Sequence, residues 1–143
     1  MKFESKKDLF VSAIIFGVCC FLMGMTIVSI LNGSMKKDEF WTLIPILVVV
    51  GFLLWLYFGT NYELTKENGL IYKSGPIKGK ISVHRITEIV KGKTLWAGLQ
   101  PATSRKGQII KYDKYNEIYI SPKTNESFIN KVLELNGQIK ITE

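Results

Sequence analysis

The chain has 143 residues and a net charge of +7, with 47% hydrophobic and 22% charged side chains. That length suits one domain, or a smaller domain joined to membrane segments. A single histidine and two adjacent cysteines, Cys19 and Cys20, exclude a zinc site built from Cys and His at the usual spacing. Neighbouring Cα atoms lie about 3.8 Å apart, closer than disulfide geometry favours. Both cysteines therefore read as small packing residues.

The first element runs from Leu9 to Leu31 without an Asp, Glu, Lys or Arg. At about 1.5 Å per residue it is about 34 Å long, enough to cross a hydrocarbon layer of about 30 Å with some tilt. The second runs from Phe40 to Phe58, also without a charge, and spans about 28 Å. Its ends carry Phe40, Trp41, Trp55, Tyr57 and Phe58, rings that favour the headgroup layer. Pro45 lies near its start, where a missing N–H is tolerated. The first run is longer than a signal-peptide core and lacks a clean cleavage site, so an uncleaved anchor is expected.

Asn32 to Glu39 connects the runs, and so short a link predicts an antiparallel hairpin. Ala13, Gly17, Gly24 and Gly51 would let the two backbones approach. Lys2, Lys6 and Lys7 precede the first run, Lys36 and Lys37 lie between the two, and many cations follow the second. The positive-inside rule predicts both termini in the cytoplasm and the short link outside. Residues 1–58 are thus read as a membrane anchor and 59–143 as a water-side domain.

That domain alternates like β-structure. Strands are predicted at Tyr62–Thr65, Leu70–Tyr72, Lys80–Val83 and Ile86–Val90. Gln108–Tyr112 and Glu117–Ile120 form a hairpin turning at Asp113 to Asn116. The period then becomes helical through Phe128, Ile129, Val132, Leu133 and Leu135, with Ser121 or Asn125 as caps, Pro122 in the first turn and Gly137 as the stop. Gln138 to Thr142 suits a last strand. The whole suggests a small antiparallel barrel or sheet capped by a C-terminal helix.

The order and spacing of Tyr62-Glu63-Leu64, Leu70 to Pro76, Ile81 to Ile89, Pro101-Ala102-Thr103-Ser104 and Ile120-Ser121-Pro122 resembles the bacterial PH-like domain family, found in small membrane proteins with two N-terminal helices. The resemblance implies a PH-type β-structure closed by a helix. One similar family member is an immunity protein against a peptide bacteriocin made by its own host, so the resemblance extends to resistance against a membrane-active peptide.

No catalytic set stands out, and no enzyme activity, cofactor or metal is expected. His84 has no second histidine or cysteine to join it, and Ser104 has no evident base unless folding brings His84 near. The best binding candidates are Lys73, Lys78 and Lys80 around Ser74-Gly75-Pro76-Ile77; beside an anionic leaflet each lysine is worth about 1 kcal/mol. The alternative is a solvated turn whose lysines blunt an edge strand and aid topology. Lys91, Lys93, Arg105, Lys106 and Lys111 form a second, dispersed basic group. Trp96 is expected in the core, the alternative being an exposed anchor for a partner or the bilayer surface. Tyr112, Tyr115 and Tyr119 alternate as strand residues do, so nucleic acid is not expected as a partner. The expected partners are the lipid bilayer and anionic lipid headgroups or another membrane protein. A structural or regulatory subunit of a larger membrane complex is the rival reading, and a membrane-associated enzyme the remotest.

Overall fold

The computed structural model describes residues 1–34 and 36–143. Two long helices form where charge-free sequence predicts them: α1 (Leu9–Leu31) and α2 (Leu43–Phe58). A 3-10 helix at Lys37–Thr42 leads into α2, so Phe40 to Thr42 belong to this tighter segment. Pro45 is the third residue of α2, where no intrahelical acceptor awaits an N–H. The expected link Asn32 to Glu39 includes Met35, which lies outside the described residues.

Both helices are long and apolar enough to cross a membrane, and only 6% of the most apolar window of each is buried. Among the described residues, Cys19 alone is buried on α1 and Tyr57 alone on α2. Cys20 is exposed and does not pack as expected. The glycine-mediated approach is also absent: a Cβ built on Gly17, Gly24 or Gly51 meets no atom within 4 Å. Near the domain the helices meet through larger groups, Phe16 against Tyr57 edge to face at 5.5 Å and Ser12 Oγ to Tyr57 OH at 2.5 Å.

The β-structure comprises β1 (Lys2–Glu4), β2 (Asn61–Thr65), β3 (Gly69–Ser74), β4 (Ile77–Ile81), β5 (Ile86–Lys91), β6 (Gln108–Tyr112), β7 (Asn116–Ile120) and β8 (Lys140–Thr142). They form two four-stranded sheets, ordered β1-β2-β3-β4 and β7-β6-β5-β8. Strand β1 lies in the N-terminal flank, where the sequence predicts no strand. It pairs antiparallel with β2, Phe3 opposite Tyr62 and Glu4 opposite Asn61. The division at 58/59 thus separates two strands of one sheet.

One departure from an all-antiparallel arrangement concerns β8, which runs parallel to β5. A parallel return needs a long crossover, and α3 (Asn125–Leu135) supplies it. Phe128, Ile129 and Val132 of α3 are buried in a core shared by both sheets, and Phe128 meets Phe3 of β1 edge to face at 5.3 Å. Helix α3 starts later than expected, with Thr124 at the N-cap and Asn136 at the C-cap. Ser121 does not cap it because its hydroxyl is engaged elsewhere, and Pro122 bridges to Ser5 rather than opening the helix.

Candidate functional site

The base of the helical hairpin is tied to the β-structure by a network of buried hydrogen bonds. Strand β1 ends at Glu4 and α1 begins at Leu9, while α2 ends at Phe58 and β2 begins at Asn61. Both ends of the hairpin therefore enter paired strands with almost no linker. On the α1 side, the Ser5 hydroxyl lies 2.9 Å from Thr103 Oγ1, 3.1 Å from Ser121 Oγ and 3.2 Å from the Tyr62 phenol. Tyr62 donates to the Pro101 carbonyl at 2.5 Å and accepts the Ser121 N–H at 3.1 Å. Thr103 in turn donates to the Lys6 carbonyl at 2.8 Å. Burial raises the Tyr62 pKa above its ordinary value, against the opposing pull of its bonds to Ser121 and Ser5.

Asp8 begins α1, accepting the Phe10 N–H at 3.3 Å. Its other carboxylate oxygen takes Arg105 Nε–H at 2.8 Å. That bond, more than any other influence, holds the Asp8 carboxyl below its ordinary pKa. On the α2 side, Thr60 donates to the Leu56 carbonyl at 2.6 Å and meets Ser74 Oγ of β3 at 2.8 Å. Gly75, at φ +55°, presses this turn onto α2: a Cβ there would stand 2.9 Å from Leu56 Cδ2.

This turn positions the predicted lysines. Lys73 and Lys78 are directly opposite in the β3–β4 register, and Lys80 follows on the same face. All three are exposed, and among the described residues none joins an ion pair. Lys80 Nζ only approaches Asn68 Oδ1 at 3.5 Å. Two like charges directly opposite on a sheet are unfavourable, and an anion between them would relieve the repulsion. Lys73 stands two residues from Gly75, about 7 Å of strand from the α2 contact.

The second basic group divides. Lys91 pairs with Glu126 at 3.7 Å, and Lys111 with Glu88 at 3.0 Å, so both serve the β-structure. Arg105 and Lys106 instead join Lys6, Asp8 and Trp96 around an open cavity of about 480 Å³ beside the start of α1. Trp96 is 85% exposed, contrary to the expected core position, because the hydrophobic core is already filled by strand and α3 residues. Its neighbours Leu95 and Gly98 give no sign of this in sequence. His84 is exposed in a 3-10 turn at Val83–Arg85. Ser104 is buried and donates to the Arg105 carbonyl at 2.9 Å, with no hydrogen bond to His84 among the described residues.

Residues 60–136, more than half of the chain, match the family model described as bacterial PH domain. The chain belongs to the bacterial PH domain family. It is also 31% identical over 142 residues to the uncharacterized protein YyaB of Bacillus subtilis (strain 168), covering 99% of this chain and 97% of that relative. No solved structure gives a significant match. The matched part of the PH domain begins two residues after α2 and ends at the C-cap of α3. Strand β1 and the helical hairpin lie outside it, although β1 completes its first sheet. The family-like stretch Pro101 to Ser104 forms much of the clamp on the hairpin: Pro101 and Thr103 bind Tyr62, Ser5 and Lys6, and the Thr103 carbonyl takes the Asp8 N–H at 3.2 Å.

Proposed function

We infer that this protein is a membrane-anchored PH-like binding module. The hairpin crosses the plasma membrane, and both termini and the PH domain lie on the cytoplasmic side. One observation carries the reading: two charge-free, exposed helices are spliced between adjacent paired strands β1 and β2. That splice holds the domain flush against whatever the hairpin enters. It also puts Lys2, Lys6 and Lys7 on the same side as the domain's lysines, which strengthens the positive-inside argument. Lys73, Lys78 and Lys80 then contact anionic lipid headgroups or a membrane protein close to the leaflet surface. The module acts in resistance to a membrane-active peptide, as the family resemblance suggests.

Deleting the gene and challenging the cells with a panel of membrane-active peptides tests the function. Increased sensitivity, restored by the intact gene, is expected. Unchanged sensitivity across the panel would remove the resistance role. Membrane fractionation tests the anchoring separately: the full chain is expected to stay in the pellet after alkaline washing. A fragment starting at residue 59 is a poor substitute, since it lacks β1.

A further inference from the structure

We propose that the Leu95–Gln100 loop is a third membrane contact, in which Trp96 enters the headgroup layer and Lys6 and Lys106 bind the phosphates of anionic phospholipids beside it. This rests on the anchored reading of the hairpin. A single exposed tryptophan is unremarkable alone. Here its position and surroundings add to it. Trp96 shares its cavity with Lys6 and Asp8, the residues that lead into α1. Arg105, in the same cavity, lies 4.1 Å above the ring of Phe10, the second residue of α1. At the other end of the loop, Gln100 lines an apolar crevice with Val11 and Ile15 of α1 and with Ile77 at the β3–β4 turn. The loop therefore runs alongside the first turns of a helix that would be entering lipid.

At that level the domain displays apolar side chains outward: Trp96 at 85%, Ile77 at 42% and Leu99 at 36% exposure. An indole with an apolar body and one N–H donor favours the boundary between headgroup and acyl chain. The charges beside it fit the same layer. Arg105 is held by Asp8, whereas Lys6 and Lys106 have no carboxylate partner among the described residues. They are left to bind external anions. An anionic leaflet supplies phosphates at that height and accepts the indole next to them.

The test uses the full chain in vesicles of phosphatidylglycerol and phosphatidylcholine whose acyl chains carry shallow bromine atoms. One variant retains Trp96 alone (Trp41→Phe with Trp55→Phe). A second retains Trp41 alone (Trp55→Phe with Trp96→Phe) and reports whether the hairpin is inserted. The expected result is quenching of both reporters and a blue shift of Trp96. Quenching of Trp41 with full emission from Trp96 would overturn the loop contact while leaving the anchored reading intact. Emission unquenched in both would overturn the two together. In the Trp96 reporter, Lys6→Gln with Lys106→Gln is expected to reduce quenching in vesicles rich in phosphatidylglycerol and not in pure phosphatidylcholine. Equal quenching in the two compositions, with or without the lysines, would overturn the phosphate contact.

Discussion

Helix α3 and helix α1 obey opposite rules. Six of the eleven residues of α3 are polar, yet Phe128, Ile129 and Val132 vanish into the core because their spacing puts them on one face. The 23 residues of α1 carry no charge, yet only Cys19 is buried, because an all-round apolar surface has no preferred side to turn inward. Patterning, rather than apolar content, decides what a water-soluble core accepts. What remains is apolar surface that suits lipid.

The contrast is sharpest at its extremes. Phe128→Ala is expected to cost about 3–5 kcal/mol of domain stability, read by denaturant unfolding of the full chain in detergent. Leu47→Ala, on the exposed surface of α2, is expected to change it by less than about 0.5 kcal/mol. Equal losses would erase the distinction. A charge reverses the ranking: Val48→Arg is expected to disfavour membrane insertion by about 2.5–3.5 kcal/mol, seen as protein shifting out of the membrane pellet, with little change to the domain.

Intermediate effects belong to the joint between the two regions. Ser121→Ala strips the Thr103 N–H and the Ser5 hydroxyl of a buried partner, and about 1–3 kcal/mol of stability is expected to go with it. The same joint responds to alkali. Burial raises the Tyr62 pKa above 10.0, so the stability it contributes is complete below that ordinary value and is lost as pH rises through the higher folded-state value. A thermal-melting series at alkaline pH is expected to show a falling midpoint, with a shallower fall in Tyr62→Phe. The smallest effect on stability concerns the lysines. Lys73→Gln, Lys78→Gln and Lys80→Gln should leave unfolding nearly unchanged, while each weakens attachment to anionic vesicles by about 1 kcal/mol in a competition assay.

Much of this architecture is legible in residue order. Strands β2, β5, β6 and β7 announce themselves through alternation, and α3 through its period. Strand β1 does not, since Lys2-Phe3-Glu4 offers a single apolar residue and its partner lies beyond two helices. Local pattern contains no trace of so distant a pairing. Ser5 is silent for the same reason: its importance comes from Thr103 and Ser121, both about a hundred residues away. Trp96 misleads because large aromatic residues are usually needed inside, and here the interior was already full. The lysines of the β3–β4 hairpin were visible as charges, but their direct opposition emerges only from the register.

The pairing of β1 with β2 also imposes an order of events during synthesis. The first strand leaves the ribosome early and must wait until both helices have followed before its neighbour exists. In a bilayer, a chain in which only one of the two helices had crossed would strand β1 across the lipid from β2, leaving the socket of Phe3 empty and Phe128 uncovered. Completion of the sheet is thus a check on the return of the chain: only a hairpin whose second helix runs back beside the first brings both of its ends to a place where the domain can close.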